Sequence, residues 1–411
     1  MQAVIEQVAN RLPQFQHLPK MFADCLANTF TTTLKPQADG SMFVITGDIP
    51  AMWLRDSAAQ VKPYLRLAKT DPQFAALIAG VVQRQCLNVL IDPYANAFNE
   101  APNGQCHNRD ETEMGPWIWE RKYELDSLCA PLLLASDLHQ ATGSTAHINA
   151  SFLQAAGRIV ETIEAERHHE NSPYRFQRFD CPATDTLSHE GRGSPVAHTG
   201  MSWSGFRPSD DSCQYHYLVP ANMMAVVALR RLAELPITAP LRVQAQQLAN
   251  EIQHGIDGHA RKAHPEFGEV YAYEVDGLGH FNLMDDANVP SLLSMPYLGY
   301  CAADDPIYRN TRALVLSKVN PYYFEGIAAK GIGSPHTPEH FIWPIALCMQ
   351  GLTSTSREEQ LGLLATLLKT DAATGLMHES FHKDDPTQFT RPWFAWANSL
   401  FAEFVMVVAG L

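Results

Sequence analysis

Six short clusters of polar and aromatic residues recur along the 411-residue chain, and each immediately precedes or opens an apolar run with helical spacing. They lie roughly 55 to 90 residues apart, and about 60 residues correspond to two helices with their loops. The clusters are Trp53-Leu-Arg-Asp56, Trp117-Ile-Trp-Glu-Arg-Lys-Tyr-Glu124, Phe206-Arg-Pro-Ser-Asp-Asp211, Met284-Asp-Asp-Ala-Asn288, His336-Thr-Pro-Glu-His-Phe-Ile-Trp343 and Arg391-Pro-Trp-Phe-Ala-Trp396. This repeat predicts six helical hairpins closed into a ring, with all six clusters meeting at one mouth. Ordinary helix caps are the alternative, but caps do not need so much tryptophan.

Helical periodicity dominates the rest of the chain. Apolar stripes with this spacing run from Phe74 to Val82, from Phe152 to Ile163, from Met223 to Leu229 and from Leu361 to Leu368. The best strand-like alternations are short, at Met42–Thr46 and Glu269–Tyr273. No linker or charge block divides the sequence. We therefore predict an all-α fold, an (α/α)6 toroidal barrel with minor β-hairpins, formed by one domain over residues 1–411.

Charge restricts the partners that this chain can have. Thirty lysine and arginine residues stand against 44 aspartate and glutamate residues, which gives a net charge of −14. Such a surface repels phosphate backbones and anionic membranes, so we expect neither nucleic acid nor a membrane as a partner. Neutral substrates are compatible with it.

The N-terminal segment and the cysteines indicate a location. Glu6 and Arg11 interrupt the apolar residues of the first eleven positions, which predicts an amphipathic helix rather than a signal peptide. No uninterrupted run of 18 apolar residues occurs, so we expect no membrane span. The eight cysteines are scattered without close pairs, which is typical of a reducing compartment. We expect a cytoplasmic protein; the sequence leaves its oligomeric state open.

Two stretches far apart in the chain place acids among aromatic residues, hydroxyls and a basic residue. Burying an unpaired carboxylate costs several kcal/mol unless it is neutralised or hydrogen-bonded, so such a setting is informative. Hydrolysis of an unactivated glycosidic bond needs an acid pair, in which one group donates a proton and the other activates water. The first stretch ends in Asp210 and Asp211, and helix capping explains only one of them. The second contains Glu379, which is suited to the general base.

A third acid, Asp56, follows Trp53 and Arg55 at a predicted helix start. Aromatic faces stack on the apolar face of a pyranose, while aspartate and arginine hold vicinal hydroxyls. This group of three therefore favours sugar binding. An interaction between Arg55 and Asp56 that merely caps the helix is the alternative.

Metal and nucleotide chemistry find little support. His336 and His340 are four residues apart, but a proline between them disfavours a regular helix through both. Asp285, Asp286 and Asn288 resemble part of a calcium loop and equally a helix cap. The chain lacks the glycine-rich dinucleotide motif, the phosphate-binding loop and the serine-hydrolase elbow. We expect neither a metal nor another cofactor.

Five longer blocks resemble glycoside hydrolase family 125, and the resemblance runs from about residue 20 to the C-terminus. The blocks are Asp48-Ile-Pro-Ala-Met-Trp-Leu-Arg-Asp-Ser57, Trp203-Ser-Gly-Phe-Arg-Pro-Ser-Asp-Asp211, Ser334-Pro-His-Thr-Pro-Glu-His-Phe-Ile-Trp-Pro344, Leu376-Met-His-Glu-Ser-Phe-His-Lys-Asp384 and Phe394-Ala-Trp-Ala-Asn-Ser-Leu400. The resemblance implies an (α/α)6 barrel and an exo-acting, metal-independent α-1,6-mannosidase that inverts the anomeric carbon.

The resemblance also implies roles for individual residues. The glutamate of the His-Glu-Ser motif, Glu379, would be the general base. The general acid would be Asp210 or Asp211, and the related pattern Asp-x-Ser-x-(Arg/Gln), which residues 210–214 match, favours Asp210. The residues expected to hold the terminal mannose are Trp53, Arg55, Asp56, Arg207, His340, Arg391 and Trp393.

Two other functions are compatible with the sequence. A sugar epimerase on the same barrel would use paired histidines, for which His336, His340, His378 and His382 are available. A glycan-binding protein without catalysis would need the aromatic and acidic residues but not the acid–base pair.

Overall fold

The computed structural model describes residues 1–411, which form fifteen α-helices and fifteen short strands. The helices are α1 (Gln2–Arg11), α2 (Leu18–Thr32), α3 (Leu54–Val61), α4 (Leu65–Ala68), α5 (Pro72–Ile91), α6 (Leu125–Thr142), α7 (Ala150–Ala165), α8 (Ser188–Gly191), α9 (Val219–Glu234), α10 (Ala239–His259), α11 (Met295–Leu298), α12 (Pro306–Val315), α13 (Pro344–Leu352), α14 (Arg357–Leu367) and α15 (Ala395–Val408). The fold is therefore rich in helix, as the periodicity predicts.

The strands form only small antiparallel sheets. They are β1 (Leu34–Pro36), β2 (Met42–Val44), β3 (Met52–Trp53), β4 (Ala97–Phe98), β5 (Ile118–Glu120), β6 (Tyr217–Leu218), β7 (Arg261–His264), β8 (Gly268–Tyr271), β9 (Glu274–Val275), β10 (Phe281–Asn282), β11 (Tyr323–Glu325), β12 (Lys330–Ile332), β13 (Phe341–Ile342), β14 (Ser380–His382) and β15 (Phe389–Thr390). Three sheets have three strands, in the orders β3-β4-β5, β10-β9-β6 and β13-β14-β15. Each of these sheets contains a strand that leads directly into a helix: β3 into α3, β6 into α9 and β13 towards α13.

The helices pack in an inner and an outer set. In the inner set, α3 packs on α6, α6 on α9, α9 on α11, α13 on α15, and α15 returns to α3. The outer helices lie against them: α2 on α15, α5 on α6, α10 on α9, and α14 on both α13 and α15. The six polar–aromatic clusters lie just before or at the start of α3, α6, α9, α11, α13 and α15. The predicted association of each cluster with an inner helix is therefore confirmed.

Side-chain caps occur on four of the outer helices, whereas the outer helices α2 and α10 have none. Asp71, Asn149, Asp305 and Ser356 cap the outer helices α5, α7, α12 and α14 by accepting a hydrogen bond from a first-turn N–H. None of the six inner helices has a side-chain cap of this kind. The clusters are thus not ordinary caps. The N-terminal ends of the inner helices carry partial positive charge from the helix dipole.

One hydrophobic core of 106 buried residues extends from Val8 near the N-terminus to Ala409 near the C-terminus. The predicted stripes lie in α5, α7, α9 and α14, and the predicted strand segments contain β2 and most of β8. Helix α5 is long and apolar enough to cross a membrane by length and composition alone. It packs on α6 and α7, and 56% of its most apolar window is buried inside the protein, so it serves as a core helix here.

Close packing of α13 on α15 gives a test of the helix arrangement. Gly351 in α13 is buried, and an added Cβ would collide with the ring of Phe404 in α15. We expect Gly351→Ala to lower the free energy of unfolding by about 1–3 kcal/mol, because overpacking a close-packed core forces neighbours to shift. Urea unfolding monitored by circular dichroism measures this.

The matched control is Gly362→Ala in the outer helix α14, where no atom lies within 4 Å of an added Cβ. That substitution should leave stability unchanged or raise it by up to about 1 kcal/mol, since alanine is the better helix former. Equal effects of the two substitutions would contradict the observed packing of α13 on α15.

Candidate active site

A cavity of about 50 Å³ lies where the clusters converge. Residues from five of the six clusters line it, so the predicted common mouth is confirmed for those five. The lining comprises Thr46, Ile49, Trp53, Arg55, Asp56, Pro208, Ser209, Asp210, Asn288, His336, Trp343, Glu379, Arg391, Phe394 and Trp396. The sixth cluster, Trp117–Glu124, lies behind the lining and contacts it through charged side chains.

Arg55 forms the floor of the cavity and is 5% exposed. Its Nη1 donates to Glu124 Oε2 at 2.7 Å and to Asp126 Oδ2 at 3.0 Å, and its Nη2 lies 3.3 Å from Asp56 Oδ2. The guanidinium also lies over the Trp396 ring, 5.5 Å from its centroid. Burial raises the pKa of Asp56 to about 6, although the Arg55 charge opposes that rise. Arg55 therefore gathers three carboxyl groups beneath the cavity.

Asp210 projects into the cavity from a backbone with a φ of 69°, a left-handed conformation that aspartate tolerates better than most residues. Its N–H donates to the carbonyl oxygen of Arg207 at 2.9 Å, and its own carbonyl accepts from Lys122 Nζ at 2.7 Å. Asp210 Oδ1 accepts hydrogen bonds from Asn96 Nδ2 at 3.0 Å and from Trp53 Nε1 at 3.3 Å. These bonds fix both the main chain and one carboxylate oxygen. Asp210 Oδ2 makes no hydrogen bond within the protein.

Nearby cations determine the ionisation of Asp210. Burial alone would raise the pKa of this carboxyl, but the charges of Lys122, Arg55 and His336 lower it below its usual value. Burial raises the pKa of Glu124 well above its usual value. The pKa values of the two neighbouring acids are therefore shifted in opposite directions.

Asp211, the neighbour of Asp210, does not line the cavity. It is 5% exposed, and its Oδ1 lies 3.2 Å from His336 Nδ1. Burial would lower the pKa of His336, but its hydrogen bond with Asp211 and the Asp211 charge raise it to about 9. Asp211 therefore holds a positively charged His336 at the edge of the cavity.

Glu379 also lines the cavity and immediately precedes β14. Its Oε1 accepts from Arg391 Nη1 at 3.2 Å. Arg391 has a left-handed backbone, with a φ of 49°, and its Nε donates to Asp48 Oδ2 at 3.1 Å. Asp48 and Glu379 thereby hold the guanidinium from two sides. Strained backbones are concentrated at functional sites, and both Arg391 and Asp210 fit that rule.

Three of the predicted mannose-binding residues lie outside the cavity lining. Arg207 is buried and donates from Nε to Glu274 Oε1 at 2.6 Å. His340 is half-exposed and contacts the ring of Phe324 edge-on, at 5.5 Å between centroids. Trp393 packs its ring against Gly47. Trp53, Arg55, Asp56 and Arg391 do line the cavity.

The structure separates the histidines that an epimerase would pair. Of the four candidates only His336 lines the cavity. His378 is buried and stacks on Phe389 at 3.8 Å, and His382 contacts His340 edge-on at 6.4 Å. The cavity therefore does not have the two histidines that an epimerase would use as acid and base.

No group of three or more histidine, cysteine, aspartate or glutamate side chains is arranged to hold a metal ion. The sequence that resembles a calcium loop, at Asp285, Asp286 and Asn288, forms hydrogen bonds within its own loop instead. Asp285 accepts hydrogen bonds from the N–H groups of Leu292 and Leu293 at 2.8 and 2.9 Å, and Asp286 accepts from Asn288 Nδ2 at 2.9 Å. These aspartates stabilise the loop before α11.

Three residues of the site escaped the sequence analysis as individuals: Asn96, Lys122 and Glu124. Lys122 and Glu124 belong to the cluster Trp117–Glu124, where charged residues at alternate positions share one face of an extended segment. This pattern of charges on one face of a segment rich in aromatic residues is the sequence feature that could have identified Lys122 and Glu124 as site residues. Asn96 carries no such signal, because its role depends on contacts that only the fold creates.

Several polar atoms of the lining have no partner in the protein. Thr46 Oγ1 and Ser209 Oγ are buried and make no hydrogen bond. Leaving a buried polar atom unpaired costs about 1–3 kcal/mol, so such groups are kept where a ligand or water satisfies them. The cavity is therefore lined for a ligand rich in hydroxyl groups.

Comparison with known proteins identifies a family. The family model described as metal-independent alpha-mannosidase (GH125) matches residues 16–406. The meiotically up-regulated gene 157 protein of Schizosaccharomyces pombe is 42% identical over 432 aligned positions, which cover 98% of this chain and 84% of that protein.

Solved structures agree with this. A metal-independent α-mannosidase of Streptococcus pneumoniae, in a non-productive substrate complex with alpha-1,6-mannobiose, superposes with a TM-score of 0.97 at 48% identity. That match covers 99% of this chain and 97% of the other. A wild-type glycosidase superposes with a TM-score of 0.55 at 13% identity, over 99% and 98% of the two chains, which shows a likeness of fold alone.

The ion pair between His336 and Asp211 predicts a pH dependence of stability. The pKa of His336 rises from 6.5 unfolded to about 9 folded, so the stabilisation is complete below pH 6.5 and is lost as the pH rises through about 9. Because 39% of the His336 side chain is exposed, solvent screening should limit the effect to about 1 kcal/mol. Asp211→Asn should remove this loss between pH 6.5 and 9, measured by urea unfolding across that range.

Glu6→Gln, which removes an exposed carboxylate from α1, is the control and should keep the wild-type pH profile. An Asp211→Asn profile that matches the wild type would show that Asp211 does not hold His336 in its charged form.

Proposed function

The chain belongs to glycoside hydrolase family 125, the metal-independent α-mannosidases, and is a glycosidase; from that premise we propose that it releases terminal mannose from α-1,6-linked mannosides by hydrolysis with inversion at the anomeric carbon. The observation that carries this proposal is that Asp210 and Glu379 line one cavity although they lie far apart in the sequence. Inverting hydrolysis requires two carboxyl groups on opposite sides of a sugar, with room for water beside one of them.

The architecture suited to this site is a closed (α/α)6 barrel. Inner helices α3, α6, α9, α11, α13 and α15 would form its wall, with α2, α5, α7, α10, α12 and α14 outside. Contacts of α3 with α6, of α6 with α9, of α9 with α11 and of α13 with α15, and the return of α15 to α3, support closure. In such a barrel the N-terminal ends of all inner helices meet at the substrate mouth.

The lining of the cavity supports recognition of a terminal mannose, because it combines aromatic with charged and hydroxyl-bearing side chains. Trp53 would supply an apolar face for the pyranose, and Asp56 and Arg391 would bind hydroxyl groups. The unpartnered Thr46 Oγ1 and Ser209 Oγ add polar contacts. The relative solved in a non-productive complex with alpha-1,6-mannobiose supports the proposed linkage.

In the proposed mechanism Asp210 is the general acid. Its Oδ2 makes no hydrogen bond within the protein and is available for the glycosidic oxygen, whereas Asp211 is buried against His336. Protonation of the glycosidic oxygen by Asp210 would accompany cleavage of the bond between that oxygen and C1. Asp56 also lines the cavity, but its contact with Arg55 suits it better to holding a hydroxyl group.

Glu379 would act as the general base on the opposite side. It would take a proton from a water molecule as the water oxygen bonds to C1 of an oxocarbenium-like mannosyl centre. Its hydrogen bond with Arg391 orients the carboxylate. The hydroxyl then enters from the face opposite the leaving group, so β-mannose forms from an α-mannoside.

Activity on a disaccharide tests the linkage. Incubation of the purified protein with α-1,6-mannobiose should give free mannose, and α-1,2- and α-1,3-mannobiose should react at least about tenfold more slowly, because their second sugar leaves the cavity in a different direction. Chromatography of the products measures both. Equal rates on all three linkages would contradict the proposed specificity, and an isomerised disaccharide would indicate an epimerase instead.

Two substrates whose leaving groups differ in their need for a proton distinguish the general acid from the general base. Asp210→Asn should lower kcat on α-1,6-mannobiose by about 10²–10⁴-fold but leave a dinitrophenyl α-mannoside nearly unaffected, because that leaving group needs no proton. Glu379→Gln should impair both substrates, since both need activated water. Asp211→Asn and Asp56→Asn serve as matched neutralisations.

If Asp211→Asn or Asp56→Asn, rather than Asp210→Asn, shows the selective loss, the acid has been misassigned. If Glu379→Gln binds mannobiose and retains full turnover, Glu379 is not the base.

A further inference from the structure

Glu124 is a buried acid next to the proposed catalytic acid, and the mechanism above does not use it. It lies at the N-cap position of α6, is 1% exposed and does not line the cavity. Its Oε2 accepts two hydrogen bonds, from Arg55 Nη1 and from Ser127 Oγ, each at 2.7 Å. Its Oε1 accepts only from Asn96 Nδ2, at 3.2 Å. Oε1 is therefore the oxygen with capacity for a proton.

Asn96 brings Glu124 and Asp210 together. Its single Nδ2 lies 3.2 Å from Glu124 Oε1, 3.0 Å from Asp210 Oδ1 and 3.2 Å from Glu120 Oε2. An amide nitrogen has only two hydrogens, so it cannot satisfy three carboxylate oxygens at once. A proton between Glu124 and Asp210 supplies the missing donor and removes the repulsion between two neighbouring charges.

The charge balance around the pair also requires protons. Four other acids face the Glu124–Asp210 pair or its immediate partners: Asp56, Glu120, Asp126 and Asp185. Four basic residues do the same: Arg55, Lys122, Arg178 and His336. Arg178 is engaged by Glu120 at 2.8 Å and by Asp185 at 3.0 Å. Arg55 and Lys122 then face Asp56, Glu124, Asp126 and Asp210. Like charges in such a site cannot all ionise, so at least one of these acids holds a proton. Glu124 is the one among them whose carboxyl oxygen shares the Asn96 amide with Asp210.

We propose, on the basis of the hydrolytic function proposed above, that Glu124 supplies the proton that Asp210 delivers to the glycosidic oxygen. In the resting enzyme the pair holds one proton, on Glu124 Oε1, directed at Asp210. When the substrate fills the cavity, that O–H bond breaks and an O–H bond forms on Asp210. The Asp210 O–H bond breaks in turn as the leaving-group oxygen is protonated.

After this transfer both Glu124 and Asp210 are negatively charged. The positive charge of Arg55, which donates to Glu124, and that of Lys122, which donates to the Asp210 carbonyl oxygen, offset these two charges. The water that attacks C1 in the same cycle loses a proton to Glu379. Glu379 releases this proton to solvent once the product departs. Asp210, which is only partly buried, takes up a proton from solvent and returns it to Glu124. Glu124 is thus a positioning residue that acts through Asp210 and stores its proton.

Glu124→Gln tests the proposal, because glutamine keeps the shape and, through its amide oxygen, the hydrogen bonds from Arg55 and Ser127, but has no transferable proton. On α-1,6-mannobiose at neutral pH, kcat should fall by about 10²-fold or more. On a dinitrophenyl α-mannoside it should stay within about twofold of the wild type. The mannobiose activity should recover at lower pH, where Asp210 takes its proton directly from solvent.

Asp126→Asn is the matched control. Asp126 is equally buried and accepts from the same Arg55 nitrogen at 3.0 Å, but it makes no hydrogen bond to Asn96. Its substitution should lower the two activities in parallel, without a shift of the pH optimum.

Equal losses of both activities in Glu124→Gln would indicate a structural role and overturn the proposal, as would full activity on mannobiose. If the wild type hydrolyses neither substrate, the proposed function itself fails. If Glu124→Gln does not fold, infrared spectroscopy of wild-type protein labelled with ¹³C-glutamate decides. A protonated glutamate carboxyl band at neutral pH supports the stored proton, and its absence overturns it.

Discussion

The ion pairs of one buried guanidinium, that of Arg55, underlie the site. Arg55 contacts the carboxyl groups of Asp56, Glu124 and Asp126 and lies against Trp396, so it links the starts of α3, α6 and α15. Breaking a buried ion pair by removing one partner costs about 3–5 kcal/mol, because the remaining charges are left uncompensated. Arg55 also separates the polar cavity from an apolar cavity of about 70 Å³ among the inner helices. The floor of the site and the packing of the helices therefore depend on the same side chain.

Around that charge, the site is built from loops whose backbones the helices hold in strained conformations. Asp210 and Arg391 both have left-handed backbones, and each is fixed by charged partners from distant parts of the chain, Lys122 and Asp48. The cost of each strained residue is of order 1–3 kcal/mol and is offset by these bonds. In return, carboxyl groups from remote segments line one small cavity.

Much of the fold could be predicted from the sequence, because periodicity and cluster spacing are local signals. The stripe in α5 and the common mouth formed by the clusters are examples. The site was predictable where chemistry coincides with a motif, as at Trp53 and Glu379. Arg207 and Trp393 show the limit: each belongs to a cluster, yet its side chain packs against Glu274 or Gly47 outside the cavity. A motif predicts proximity to the mouth, but side-chain direction depends on backbone angles and partners that no local pattern encodes.

The central claim is that Asp210 and Glu379 act from opposite sides of one mannose. A crystal structure of the protein with a sulfur-linked α-1,6-mannobioside, which resists hydrolysis, tests it most directly. The account predicts Asp210 Oδ2 at hydrogen-bond distance, about 3 Å, from the linking sulfur, with Glu379 holding a water below C1 and the two carboxyl groups about 6.5–9.5 Å apart. A separation of about 5 Å without that water, or Asp56 or Asp211 at the sulfur instead, would contradict it.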